Sequence, residues 1–314
     1  MARHCLKARP TAAQLADRLR PVDGVWPDGL ELYLAAADLQ TPAHLDEVVR
    51  RLDAAAARLP AGFVWLIEGP VDSLDGADFD VTRQSPADAL VVERLAELAK
   101  RIGAQAVNIH VIAPSPERGR LTLEARMALL ERARPFLGRF VELMQAAGAV
   151  PTVEHMPPVL RMRRADVAFT PIGMASADLC WLCERVPGLN VLVDTSHAGL
   201  YLNARRHVAR DAPDAASAWT DALFAFVDQL PAEAPDVLGY VQSFGPYLAN
   251  AQLSNASGLL GEGEAYAAGE LDLDPIVRWL DQHTAHIVTE TLEPNNDRAD
   301  LMRDALRRMR AALQ

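Results

Sequence analysis

The sequence predicts a single (β/α)8 barrel, an α/β fold in one domain spanning residues 1–314. Three observations predict it. Short apolar or β-branched runs alternate with longer helical patterns from end to end. Eight such units occupy 314 residues, of which 50% are apolar, enough to fill one large core. The polar residues of the strand candidates also gather at their C-terminal ends, the rim where βα loops converge in a parallel barrel. A doubly wound open sheet gives the same alternation, so periodicity alone leaves both open.

The strand candidates in order are residues 4–7, 31–37, 63–68, 106–112, 151–155, 190–194, 249–254 and 286–290. Between them lie HLDEVVRRLDAAAARL, ADALVVERLAELAKRIG, LEARMALLERARPFLGRFVELMQAAG and DRADLMRDALRRMRAALQ, with apolar residues recurring at three and four. Several end at Gly or carry Pro just beyond, as a helix feeding a new strand should. No low-complexity segment or linker divides the chain.

The formal net charge is -11, and the basic residues are scattered among acidic neighbours, which argues against nucleic acid as a partner. No run approaches the roughly 20 apolar residues of a membrane span, and the first residues lack the apolar stretch of a signal peptide. A cytoplasmic protein without membrane partners is therefore expected. Cys180 and Cys183 have neither a second CxxC nor a His pair at ligand spacing, and are read as reduced thiols on one helix.

The chemistry-bearing residues close the strands. Glu68 ends the third and His110 lies near the end of the fourth; Glu154 and His155 end the fifth; Asp194 ends the sixth, with His197 three residues on. Gln252, Ser254 and Asn255 end the seventh, and Glu290 ends the eighth, with Glu293 just outside. A carboxylate at the end of a buried apolar strand costs several kcal/mol unless paired or bound to a cation. Three converging in one mouth repel one another, and a divalent cation resolves the conflict. A set of carboxylate and amide oxygens suits magnesium or manganese better than zinc. Taken singly, an acidic residue after a strand is more often a helix N-cap, so the joint pattern carries the inference. His110 reads equally as a core histidine, His155 and His197 as hydrogen-bonded rim residues, and Glu68 as the partner of a nearby His or Arg.

VLVDTSHAGLY at the sixth strand, TVEH at the fifth and VTE at the eighth resemble, in order and spacing, the xylose-isomerase-like TIM-barrel superfamily of sugar isomerases, epimerases and endonuclease IV. The resemblance covers essentially the whole chain. It implies one divalent cation, Mg2+ or Mn2+, on Glu154, Asp194, Gln252 and Glu290. Gln252 stands where most members carry His, and keeps a neutral oxygen ligand there. It further implies Glu154 and Glu290 as acid/base groups on opposite faces of a sugar-like small molecule. His197, His110, His155, Glu68 and Asn255 are the candidate substrate contacts.

The expected activity is a metal-dependent isomerase or epimerase of a sugar, keto-sugar or related hydroxy-carbonyl compound, working through a metal-stabilised enediolate. A dehydratase or lyase begins with the same proton abstraction. An endonuclease-IV-like nuclease needs further His ligands, which the loop after the seventh strand, SNASGLLGEGEAYAAGELDLDP, does not supply. A non-catalytic binding protein is the remaining reading, with Gln252 its one internal hint. Arg205 and Arg206 after the sixth strand, and Arg161, Arg163 and Arg164 after the fifth, are candidates to meet an anionic substrate or to lie in solvated loops. Members of the superfamily often pair through the rim, so a homo-oligomer is among the expected assemblies.

Overall fold

The computed structural model describes residues 1–56, 59–115, 121–160, 168–208 and 217–314. Eight parallel strands form a closed barrel: Arg3–Ala8, Gly29–Tyr33, Val64–Glu68, Ala106–His110, Val150–Glu154, Asn190–Asp194, Leu248–Leu253 and His286–Thr289. Each pairs with its neighbour in chain order, and the first pairs with the eighth from Arg3 opposite His286 to Leu6 opposite Thr289. The open sheet is thereby excluded. The ends match the sequence expectation closely except in the second strand, which begins at Gly29 and stops at Tyr33. Beyond it the apolar run turns into a short 3-10 helix, Ala36–Leu39, whose Asp38 accepts the Ala35 N–H at 2.8 Å.

Helices Pro42–Ala56, Pro86–Ile102, Leu123–Ala147 and Asp300–Ala312 occupy the four quoted patterns. Their boundaries follow capping chemistry. Ser85 and Thr122 accept N–H groups of the first turns they precede, while Gly103 and Gly148 take left-handed conformations where the helices end.

Strand alternation then sorts the side chains. Leu6, Leu30, Leu32, Ile67, Val107, Ile109, Val153, Val193, Ala251 and Ile287 point outward into the main core shared with the helices. Cys5, Val64, Leu66, Ala106 and Val288 point inward and form a small separate apolar layer inside the barrel. Two residues further along the same strands stand Lys7, Glu68, Asn108 and Glu290, so the same alternation that builds the floor lifts a polar layer above it. Gly29 lets the second and third strands approach, since a Cβ there would meet the Val64 carbonyl oxygen at 2.5 Å. Two hairpins supply walls above the rim: Val159–Leu160 with Ala168–Phe169, and Asn255–Ser257 with Gly261–Glu264. No described helix is long and apolar enough to cross a membrane.

Candidate active site

A cavity of about 550 Å³ opens at the C-terminal end of the barrel, with Lys7, Glu68, His110, Glu154, His197 and Glu290 on its wall. Acidic side chains crowd its wall and the barrel interior beside it. Glu31, Glu68, Glu154 and Asp194 are each at most 3% exposed, and Glu290 joins them from the eighth strand. The ligand atoms of Glu154, Asp194 and His197 lie within 4.8 Å of one another, as do those of Glu68, His110 and Glu154, and those of Glu31, Glu68 and Glu290. These trios share Glu68 and Glu154 and so form one continuous cluster, in which Glu290 is grouped with Glu31 and Glu68 and not with Asp194.

Lys7, at the end of the first strand, is the fixed cation of this cluster. Its ammonium donates to Glu68 and to Glu290 Oε1. Burial disfavours the charge, but Glu290 and Glu68 outweigh it and hold the ammonium well above its ordinary range. Glu68 is in turn kept ionised: burial pushes its carboxyl up, while Lys7 and the hydrogen bond from His110 bring it below the usual range. Burial, and then the neighbouring Glu68, raise Glu31 to about 8, with Lys7 and the hydrogen bond from Gln252 pulling the other way. Burial likewise raises Glu154, against the opposing pull of His110, and Glu290, against that of Lys7.

The four sequence-predicted ligands are placed as follows. Glu154 accepts from Asn108 Nδ2 at 2.6 Å, and its other oxygen lies 3.2 Å from His197 Nδ1. Asp194 divides its two oxygens: Oδ1 caps the helix Thr195–Arg205 through the Ser196 and His197 N–H groups, while Oδ2 faces His197 Nε2 at 3.8 Å. Gln252 donates its amide to Glu31 at 2.7 Å and to Glu68 at 2.9 Å, leaving its Oε1 buried without a partner. Glu290 Oε2 is likewise buried without a partner. Unpartnered buried oxygens on two of the four residues, inside an acidic cluster, fit a bound cation.

The candidate substrate contacts separate into two groups. His110, His197 and Glu68 reach the cavity, with His197 Nε2 2.9 Å from Glu262 Oε1 on the second hairpin. His155 lies behind them, its ring tilted against those of Tyr240 and Phe244, with burial and then His197 holding its imidazole neutral. Asn255 bonds the loop main chain: its amide donates to the Tyr266 and Leu271 carbonyls, and its oxygen accepts from Ala256 and Leu271. Arg205 and Arg206 donate to main-chain carbonyls of Val227, Leu230 and Pro235, away from the cavity. Arg161, Arg163 and Arg164 lie outside the described residues. Instead Arg9 and Arg18, from the first βα unit, stand on the cavity wall.

Sequence reasoning missed Lys7, Glu31, Asn108 and Glu262. Lys7 and Glu31 had a signal: they are charges embedded in apolar runs, CLKA and GLELY, and a charge inside a buried strand needs a partner.

Neither a family model nor a curated protein matches this sequence. Solved structures do. A D-tagatose 3-epimerase-like protein is 13% identical, with 99% of this chain and 98% of that one covered at a TM-score of 0.62. For 3-keto-D-glucoside 4-epimerase YcjR from E. coli the identity is 13%, the coverage 99% and 100%, and the TM-score 0.62. This chain shares the fold of these two proteins from end to end. The TTHB071 protein from Thermus thermophilus, soaked with ZnCl2, gives 18% identity, 98% and 97% coverage and a TM-score of 0.59. At these identities the likeness carries the closed barrel and its end-to-end extent, and the chemistry rests on the residues.

Proposed function

We propose that this chain is a divalent-metal-dependent epimerase or isomerase of a sugar, keto-sugar or related hydroxy-carbonyl compound. The observation that carries the proposal is the pair of unpartnered buried oxygens, Gln252 Oε1 and Glu290 Oε2, set among the carboxylates of an epimerase-type barrel. Glu154, Asp194, Gln252 and Glu290 would hold the ion, with Mg2+ or Mn2+ favoured by an all-oxygen set. When bound, the cation supplies Lewis-acid polarisation of a carbonyl and stabilises the negative charge that develops beside it.

The chain's own residues do the rest. Glu154 and Glu290, from the fifth and eighth strands, face the cavity from different sides and are assigned to take and return the carbon-bound proton. Asn108 orients Glu154 through the 2.6 Å hydrogen bond. His197, steadied by its Nδ1 contact to the His155 carbonyl at 2.9 Å, presents Nε2 toward Glu262 at the cavity wall, where it can hydrogen-bond a substrate oxygen. His110 lines the cavity from the fourth strand, its Nε2 held 3.2 Å from Glu68 Oε1. The apolar side chains of Ile112, Met156 and Leu160 also line the cavity and limit water.

The test is elemental analysis of purified protein, then a screen of ketoses, aldoses and cyclitols with added Mn2+, following solvent deuterium into recovered substrate. Glu154→Gln is expected to lower turnover by about 10²–10⁴. Absence of bound metal together with no thermal shift on adding Mn2+ or Mg2+ would remove the basis of the proposal.

A further inference from the structure

An amide side chain offers an oxygen to one side and two N–H groups to the other, and which way it faces decides whether it can serve as a ligand to a cation. At Gln252 that choice is made from beneath. Its Nε2 donates to Glu31 Oε2 at 2.7 Å and to Glu68 Oε2 at 2.9 Å. Turning the amide over would set Oε1 against the ionised carboxylate of Glu68. Glu68 has no freedom to yield, because His110 Nε2 lies 3.2 Å from its Oε1 and Lys7 donates to its Oε2. Lys7 carries the hold onward to Glu290 Oε1, which leaves Glu290 Oε2 unpartnered. Thus two buried oxygens without partners, Gln252 Oε1 and Glu290 Oε2, belong to side chains whose other polar atom is tied, directly or through Lys7, to one carboxylate.

We propose that Glu68, seconded by Glu31, is a positioning residue: it fixes the amide of Gln252 with its oxygen toward the cation and, through Lys7, turns one oxygen of Glu290 the same way. The inference rests on Gln252 and Glu290 being ligands, as proposed above. It explains how a glutamine can serve as a ligand here: Glu68 and Glu31 below accept the amide N–H groups, as second-layer acceptors commonly do for the N–H of a metal-bound imidazole. Glu68 therefore acts on the substrate through the ligands, in addition to any contact along the cavity wall.

The experiment is calorimetric titration of Mn2+ into the parent protein, Glu68→Gln, Gln252→Glu and the double variant, with Glu31→Gln alongside and folding checked by circular dichroism. Glu68→Gln is expected to weaken Mn2+ binding at least tenfold, because the amide is then free to turn over. Combining it with Gln252→Glu reverses the donor and acceptor across the same contact, and the double variant is expected to bind at least tenfold more tightly than the product of the two single effects allows. A structural loss would not be rescued in this way. In metal-free protein, the Gln252 side-chain NH2 resonances, assigned by their disappearance in Gln252→Glu, should lie downfield in the parent and move back in Glu68→Gln or Glu31→Gln. Parent binding with an unchanged Glu68→Gln affinity, additive single effects, or Gln252 resonances at ordinary exposed-amide positions overturns the positioning role and leaves the ligand assignment standing. Failure of the parent to bind Mn2+ removes the ligand assignment, and this inference with it.

Discussion

Lys7 shows what one residue contributes to this barrel. A lysine is 8% exposed inside a protein only when its charge is matched, and here two carboxylates match it. Removing one member of a buried ion pair leaves the other uncompensated, at a cost on the order of 3–5 kcal/mol. Lys7→Met is expected to lose stability by that amount in urea unfolding of the metal-free protein, and Lys7→Met with Glu68→Gln to lose less than the two single changes summed. An unchanged unfolding midpoint for Lys7→Met would show that solvent, and not Lys7, neutralises the cluster. Residues of this kind were only partly legible in the sequence. Glu154, Asp194, Gln252 and Glu290 announce themselves because each terminates an apolar run. Glu31 is marked only as a charge within an apolar run, and its place inside the second strand is not: that strand starts at Gly29, and a strand's starting point is set by pairing with its neighbours, which one segment cannot display.

At the scale of elements, the loops after the strands decide what the rim can do, and local composition says little about how they fold. The loop after the seventh strand reads as Gly-rich and acidic, yet it folds into the hairpin Asn255–Ser257 with Gly261–Glu264 and is clamped by Asn255. Asn255→Ala leaves two carbonyls and two N–H groups of the loop without that partner. At roughly 1–3 kcal/mol for each buried group left unsatisfied, a loss of ~3 kcal/mol or more is expected, read as a lower Tm. A variant with the parent Tm and a raised KM would instead put Asn255 on the substrate. Helix positions, by contrast, were legible to within a few residues, because Ser85, Thr122, Gly103 and Gly148 mark ends by chemistry local to the chain.

For the whole molecule, the alternation of eight strands and the rim pattern gave the architecture, while barrel closure needed the pairing of the first strand with the eighth. Closure also buries groups far from the cavity. His286 opens the eighth strand with Asn250 Oδ1 at 2.8 Å and Gln105 Oε1 at 2.9 Å, and burial, then Arg3, lowers it from 6.5 to about 4. The unfolded chain therefore binds the proton more readily than the folded one between about pH 6.5 and pH 4, so stability from this group is present above that window and is lost as pH falls through it. At about 1.36 kcal/mol per unit, the full loss is roughly 3 kcal/mol or slightly more. Urea unfolding at pH 7.5, 5.5 and 4.5 should show a steeper decline for the parent than for His286→Gln. Equal slopes would place the acid sensitivity elsewhere.

Because Lys7 meets Glu290 across 283 residues of chain, and Gln252 meets Glu31 across 221, the cluster joins segments from both ends of the polypeptide. Contacts so distant in sequence form late in folding, after the entropy of closing long loops has been overcome. A refolding chain thus passes through its earlier stages with these carboxylates still apart and hydrated, and gathers them only when the last strand docks beside the first. Manganese capture during refolding would then time the sealing of the barrel, rising with the final phase and not with the growth of helical signal.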